Sequence, residues 1–90
     1  MPYIKKEIRA NFDTLVEQLA KELAVNTDYE GNFNYIVSAI ISKVLETNGT
    51  SYREINKLVG VLECCKLELY RKVAAPYEQT KALENGEVYS

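Results

Sequence analysis

The chain has no histidine and no tryptophan, and among its 90 residues there are only one methionine, two prolines, two cysteines and four glycines. The missing histidine removes serine–histidine and cysteine–histidine catalysis, imidazole general bases and every zinc site that needs an imidazole ligand. No two acidic residues are adjacent, so the tandem Glu-Glu pattern with which helical nucleotide pyrophosphohydrolases hold magnesium is also missing. There is no glycine-rich phosphate loop, nucleophile elbow or paired-cysteine motif. Nor is there an apolar run of the ~20 residues that a membrane span needs. The densest stretch, residues 36–45, is interrupted by Ser38, Ser42 and Lys43. The opening residues lack the apolar core of a signal peptide, so the expectation is a cytoplasmic protein without a membrane association. Eleven basic and thirteen acidic residues give a net charge of −2, too little positive charge for bulk nucleic-acid binding.

What is present points to a folded helical domain. Leu, Ile, Val and Phe make up 25 of the 90 residues, above the roughly 20% below which chains tend to stay disordered. One domain over residues 1–90 is expected from the length. The fold class is all-α: three helices at about 5–25, 33–46 and 51–75, a short helix at 77–84 and an extended tail at 85–90. In the first helix Ile8, Phe12, Leu15, Leu19 and Leu23 recur every three or four residues. Alternatively, Asp13 caps a separate helix and the opening residues form a turn of their own. Residues 26–32 carry turn formers without apolar period and read as a loop. The second helix bears Ile36, Val37, Ile40, Ile41, Val44 and Leu45, and Asn48-Gly49 ends it.

The third helix opens on Ser51-Tyr52-Arg53-Glu54, a capping box. Ile55, Leu58, Leu62, Cys65, Leu69 and Val73 mark one face, while Val59, Val61, Leu67 and Tyr70 lie beside or off it. A surface helix of a monomer needs only one apolar stripe. This one is apolar nearly all round, so it is expected to be shared with a second subunit in a homo-oligomer. A chain this short buries only a little over ~60% of its unfolded surface, which favours association further. Pro76 withholds an amide and disfavours helix at Ala75, so a stop or kink is expected there.

A few positions stand out chemically. Gly60, inside the strongest helix, favours close approach of a neighbouring helix. Glu63 is flanked by apolar residues, and an ion pair with Lys66 three residues on is its simplest account. Cys64 and Cys65 read as small buried apolar residues. Seven tyrosines are the compositional outlier, at positions 3, 29, 35, 52, 70, 77 and 89. Packing at the edge of the core accounts for most of them, and an interface or a flat-ligand pocket for the rest. Lys5, Lys6 and Arg9 beside Tyr3, and Arg71 and Lys72 beside Tyr70, would suit a nucleotide-like anion. Ligand or interface candidates are therefore Tyr3, Lys6, Arg9, Tyr35, Tyr52, Gly60, Glu63, Tyr70, Arg71 and Tyr77. No catalytic residue, metal ligand or cofactor is expected.

Three motifs carry a resemblance: Met-Pro-Tyr-Ile at the start, residues 62–78, and Glu-Asn-Gly-Glu-Val-Tyr at 84–89. Taken in order, with Asn34-Tyr35 and Ser51-Tyr52, they resemble a family of short uncharacterised phage, prophage and bacterial proteins. The resemblance implies a phage-related context, with the host cytoplasm as location, and no catalytic residues. It favours a self-associating, non-enzymatic binding protein that engages a host protein or sequesters a nucleotide-like signal, as anti-defence proteins do. Two alternatives stand beside it: a metal-dependent helical nucleotide hydrolase using Glu63, Glu68 and Asp28 across subunits, and a virion-assembly scaffold.

Overall fold

In the computed structural model, residues 2–89 are described, and all their regular structure is helical. In chain order the helices are α1 (Lys6–Arg9), α2 (Asp13–Ala24), α3 (Glu30–Asn48), α4 (Tyr52–Leu69) and α5 (Ala75–Asn85), with a π turn, Tyr70–Ala74, between the last two. The expected long first helix is split into a single opening turn and α2. Through residues 10–12 the amides of Asn11 and Phe12 bond back three residues, to Ile8 and Arg9, and the α pattern resumes when Val16 bonds to Phe12. Asn and Asp favour turns over helix interiors, and Asn11 and Asp13 bracket this tightened turn. Asp13 is nonetheless the first helical residue rather than the cap, which falls on Phe12 without a side-chain hydrogen bond.

α3 starts earlier than its apolar period, at Glu30 instead of 33. The first-turn amides of any helix lack internal partners, so the polar Glu30, Gly31 and Asn32 cost little there, and Glu30 complements the positive pole. Its end is where Asn48-Gly49 puts it: Gly49 turns to φ 82° and donates to the Leu45 carbonyl at 2.8 Å. The Ser51 cap also forms, with the Glu54 amide donating to Ser51 Oγ at 3.2 Å. Asn48 Nδ2 reaches Glu54 Oε2 at 3.4 Å and ties the end of α3 to the start of α4.

Of the expected stop or kink near Ala75, the stop does not occur. Ala75 is helical at φ −62°, ψ −46°, and its amide bonds to the carbonyl of Tyr70, five residues back. A proline in a regular α-helix would clash with the carbonyl four residues before it. The wider π turn takes up one extra residue just ahead of Pro76, and the helix continues to Asn85. The short helix expected at 77–84 is thus the body of α5.

Contacts divide the chain into two units, Pro2–Asn56 and the segment from Lys57 onward. In the first, Leu23, Ile36, Val37, Ala39, Ile41, Val44 and Leu45 are half-buried, while Ile40 is exposed. In the second, Leu58, Glu68, Ala74 and Ala82 are half-buried. No described residue in either unit is fully buried. The expectation of small buried cysteines is not met: Cys64 and Cys65 are free thiols exposed on the surface of α4.

Candidate functional site

The sequence-derived candidates fall on both units. In Pro2–Asn56, Arg9 is half-buried, and its Nε donates to the Ile4 carbonyl at 2.8 Å, fixing the opening segment against α1. Arg9 is thereby engaged by its own chain. Lys6 and Tyr3 are exposed, as are Tyr35 in the second turn of α3 and Tyr52 at the start of α4. Tyr35 lines a shallow hollow of ≈ 350 Å³ with Glu22, Leu23, Val25, Asn26, Asn32 and Ile36. Tyr3, Lys6 and Tyr52 are not among the residues that line it.

A larger feature of the same unit was not singled out from sequence. Phe12, Leu15, Val16, Gln18, Leu19, Glu22 and Ile40 line an open groove of ≈ 450 Å³ with almost wholly carbon walls. Its apolar period was legible, but a stripe at helical spacing reads first as core. Only coordinates show that Phe12, Leu15, Val16 and Ile40 each stay more than half exposed.

The segment from Lys57 onward carries Gly60, Glu63, Tyr70, Arg71 and Tyr77. A Cβ added to Gly60 would meet nothing within 4 Å, so the position has open space around it. Glu63 makes the expected surface pair with Lys66, at 2.9 Å. Arg71 holds Glu68 at 2.6 Å, and the Glu68 side chain is only 18% exposed. Lys81 reaches Glu84 at 3.2 Å and also lies 5.6 Å from the Tyr77 ring centre, within cation–π range.

Tyr70 is paired with Glu78 through a side-chain hydrogen bond, which raises its hydroxyl above the ordinary value of 10.0; the nearby carboxylate charge and slight desolvation add to the effect. Glu78 and Lys81 are partners that the sequence reading missed, and Pro76 within a helical period was the available signal. The π turn brings Tyr70 and Glu78 into line. Eight residues of regular helix turn two side chains about 80° apart, whereas one inserted residue makes the relation closer to seven, about 20°.

All seven tyrosines are exposed, from 44% at Tyr29 to 87% at Tyr52, so packing at a core edge does not account for them within the chain. Two of the cations placed beside tyrosines, Arg9 and Arg71, are already occupied by the protein itself. Among the described residues, no three Cys, Asp or Glu side chains converge as a metal site would require. No described helix is long and apolar enough to cross a membrane. The surface offers aliphatic and tyrosine faces, with ion pairs such as Lys43–Glu46, Glu63–Lys66, Glu68–Arg71 and Lys81–Glu84 along the helices.

Neither a curated protein nor a solved structure is significantly similar to the chain. A family model does match, over residues 1–88 of 90, and by that match the chain belongs to the family described as Domain of unknown function (DUF6899).

Proposed function

We propose that this protein is a non-enzymatic binding protein that works as a self-associated helical subunit and engages its target through apolar helix faces. One observation carries the reading: no described residue is buried, although the helices are regular and their apolar stripes are well formed. Such faces in a soluble domain mark protein–protein contact. A protein target is favoured over a nucleotide-like anion because Arg9 and Arg71 serve the chain's own carbonyl and carboxylate. The resemblance to phage and prophage proteins makes a host protein the target class.

A thermal-shift screen against nucleotides and cyclic dinucleotides, with and without magnesium, tests this choice. The expected result is no shift with any of them. A shift of several degrees that disappears in Tyr70→Ala or Tyr35→Ala would replace the protein target with a small ligand. Magnesium-dependent nucleotide hydrolysis that EDTA abolishes and Glu63→Gln destroys would replace binding with catalysis. Against that outcome, Glu63 and Glu68 each already sit in an ion pair with a basic neighbour.

A further inference from the structure

At about 100° per residue, Phe12, Leu15, Val16 and Leu19 fall within one arc of α2, and Gln18 and Glu22 run along an edge of that arc. With Ile40 of α3 they line the carbon-walled groove of ≈ 450 Å³. Glu22 also lines the hollow of ≈ 350 Å³ beside Tyr35, so the two depressions meet at this carboxylate. Among the described residues that line either depression, only Glu22 is charged. Its surroundings are acidic as well. Residues 12–42 hold five acids, Asp13, Glu17, Glu22, Asp28 and Glu30, against the single base Lys21, a net charge of −4 where the whole chain carries −2. Glu46, Glu63, Glu68 and Glu84 are each paired with a base three residues away, but among the described residues none of these five acids has an ion pair.

We infer that this groove docks an amphipathic helix of a partner protein, one that carries Lys or Arg along the edge of its apolar face. Charge complementarity selects that occupant. A basic side chain can lay its stem on the carbon walls and bring its head to Glu22, whereas an acidic segment would meet like charge. The length also fits, because the 12 residues of α2 rise about 18 Å, room for roughly three turns of a docked helix. A second copy of this chain is a poorer match. Its residues 43–90 carry seven bases and seven acids, and Lys66, Arg71 and Lys81 are already held by glutamates, so α4 and α5 bring no excess of positive charge.

The inference rests on the protein-target reading and goes further by naming the chemistry of the partner. Fluorescence anisotropy tests it with the whole chain and two labelled helical peptides of about 14 residues, a length matched to α2. One peptide is built of leucine and lysine, and the other has glutamate at every lysine. The leucine–lysine peptide is expected to bind at least about tenfold more tightly than its counterpart. Glu22→Lys should weaken its binding about tenfold, and Ile40→Ala about fivefold. Glu84→Lys, the same charge change on α5, should stay within about twofold of the parent, as surface changes usually do. Circular dichroism follows helix content, and if Ile40→Ala loses its helices, Glu22→Lys decides the question. Equal binding of the two peptides, binding of neither, or equal weakening by Glu22→Lys and Glu84→Lys would overturn the groove assignment while leaving the protein-target reading standing. A lower mass of Glu22→Lys than of the parent in light scattering, without peptide, would overturn it by giving the groove to a second copy. A nucleotide that shifts the thermal midpoint would overturn the protein-target reading itself.

Discussion

At the scale of single residues, charge is handled locally. The ion pairs Lys43–Glu46, Glu63–Lys66, Glu68–Arg71 and Lys81–Glu84 all join residues three apart on one helix. Exposed pairs of this kind contribute only tenths of a kcal/mol each, so they keep the helices soluble more than they hold the fold. The Ser51 cap is worth more. Ser51→Ala is expected to cost about 1 kcal/mol, read as a lower denaturant midpoint with an unchanged slope. Tyr70 gives a pH-dependent signal. Its hydroxyl is raised in the folded protein, so the stabilising bond to Glu78 is complete below pH 10.0 and is lost as pH rises through the elevated value. In an ultraviolet titration the component removed by Tyr70→Phe should be the late one, and Glu78→Gln should bring it back toward the other tyrosines. A Tyr70 that ionises with the rest in the parent protein would contradict the pairing.

At the scale of elements, helix ends were legible wherever one residue dictates them. Gly49 and Gly86 take positive φ, and Ser51 caps, as their residue types require. The start of α3 was not legible, because first-turn amides tolerate Glu30, Gly31 and Asn32 and the apolar period begins only afterwards. Nor was the passage through Pro76, where the rule that proline ends helices gave way to one inserted residue. The candidate residues were legible as types, but not their partners, since the alignment of Tyr70 with Glu78 depends on that insertion. Gly60 illustrates the difference. As a glycine in a strong helix it reads as a close helix contact, yet a Cβ there would meet nothing within 4 Å. Gly60→Ala should therefore stabilise the helix by up to about 1 kcal/mol without weakening association; weaker association would restore the close-contact reading.

At the scale of the whole molecule, the apolar content of a folded domain is present without a buried residue among those described. Marginal stability leaves ordinary domains only 5–15 kcal/mol. With no described residue fully buried, the gain from apolar burial that offsets conformational entropy is small. On the proposed self-association, folding and assembly form one equilibrium that depends on protomer concentration. The all-round apolar character of α4 was visible in the sequence. That α2 and α3 also keep open apolar surface was not, because a periodic stripe looks the same whether its own chain or another covers it.

Light scattering coupled to size exclusion at micromolar concentration tests this most directly. The account predicts a mass of at least two 10.3 kDa chains, with a thermal midpoint that rises as protein concentration is increased. A 10.3 kDa monomer that unfolds cooperatively at a concentration-independent temperature would contradict it.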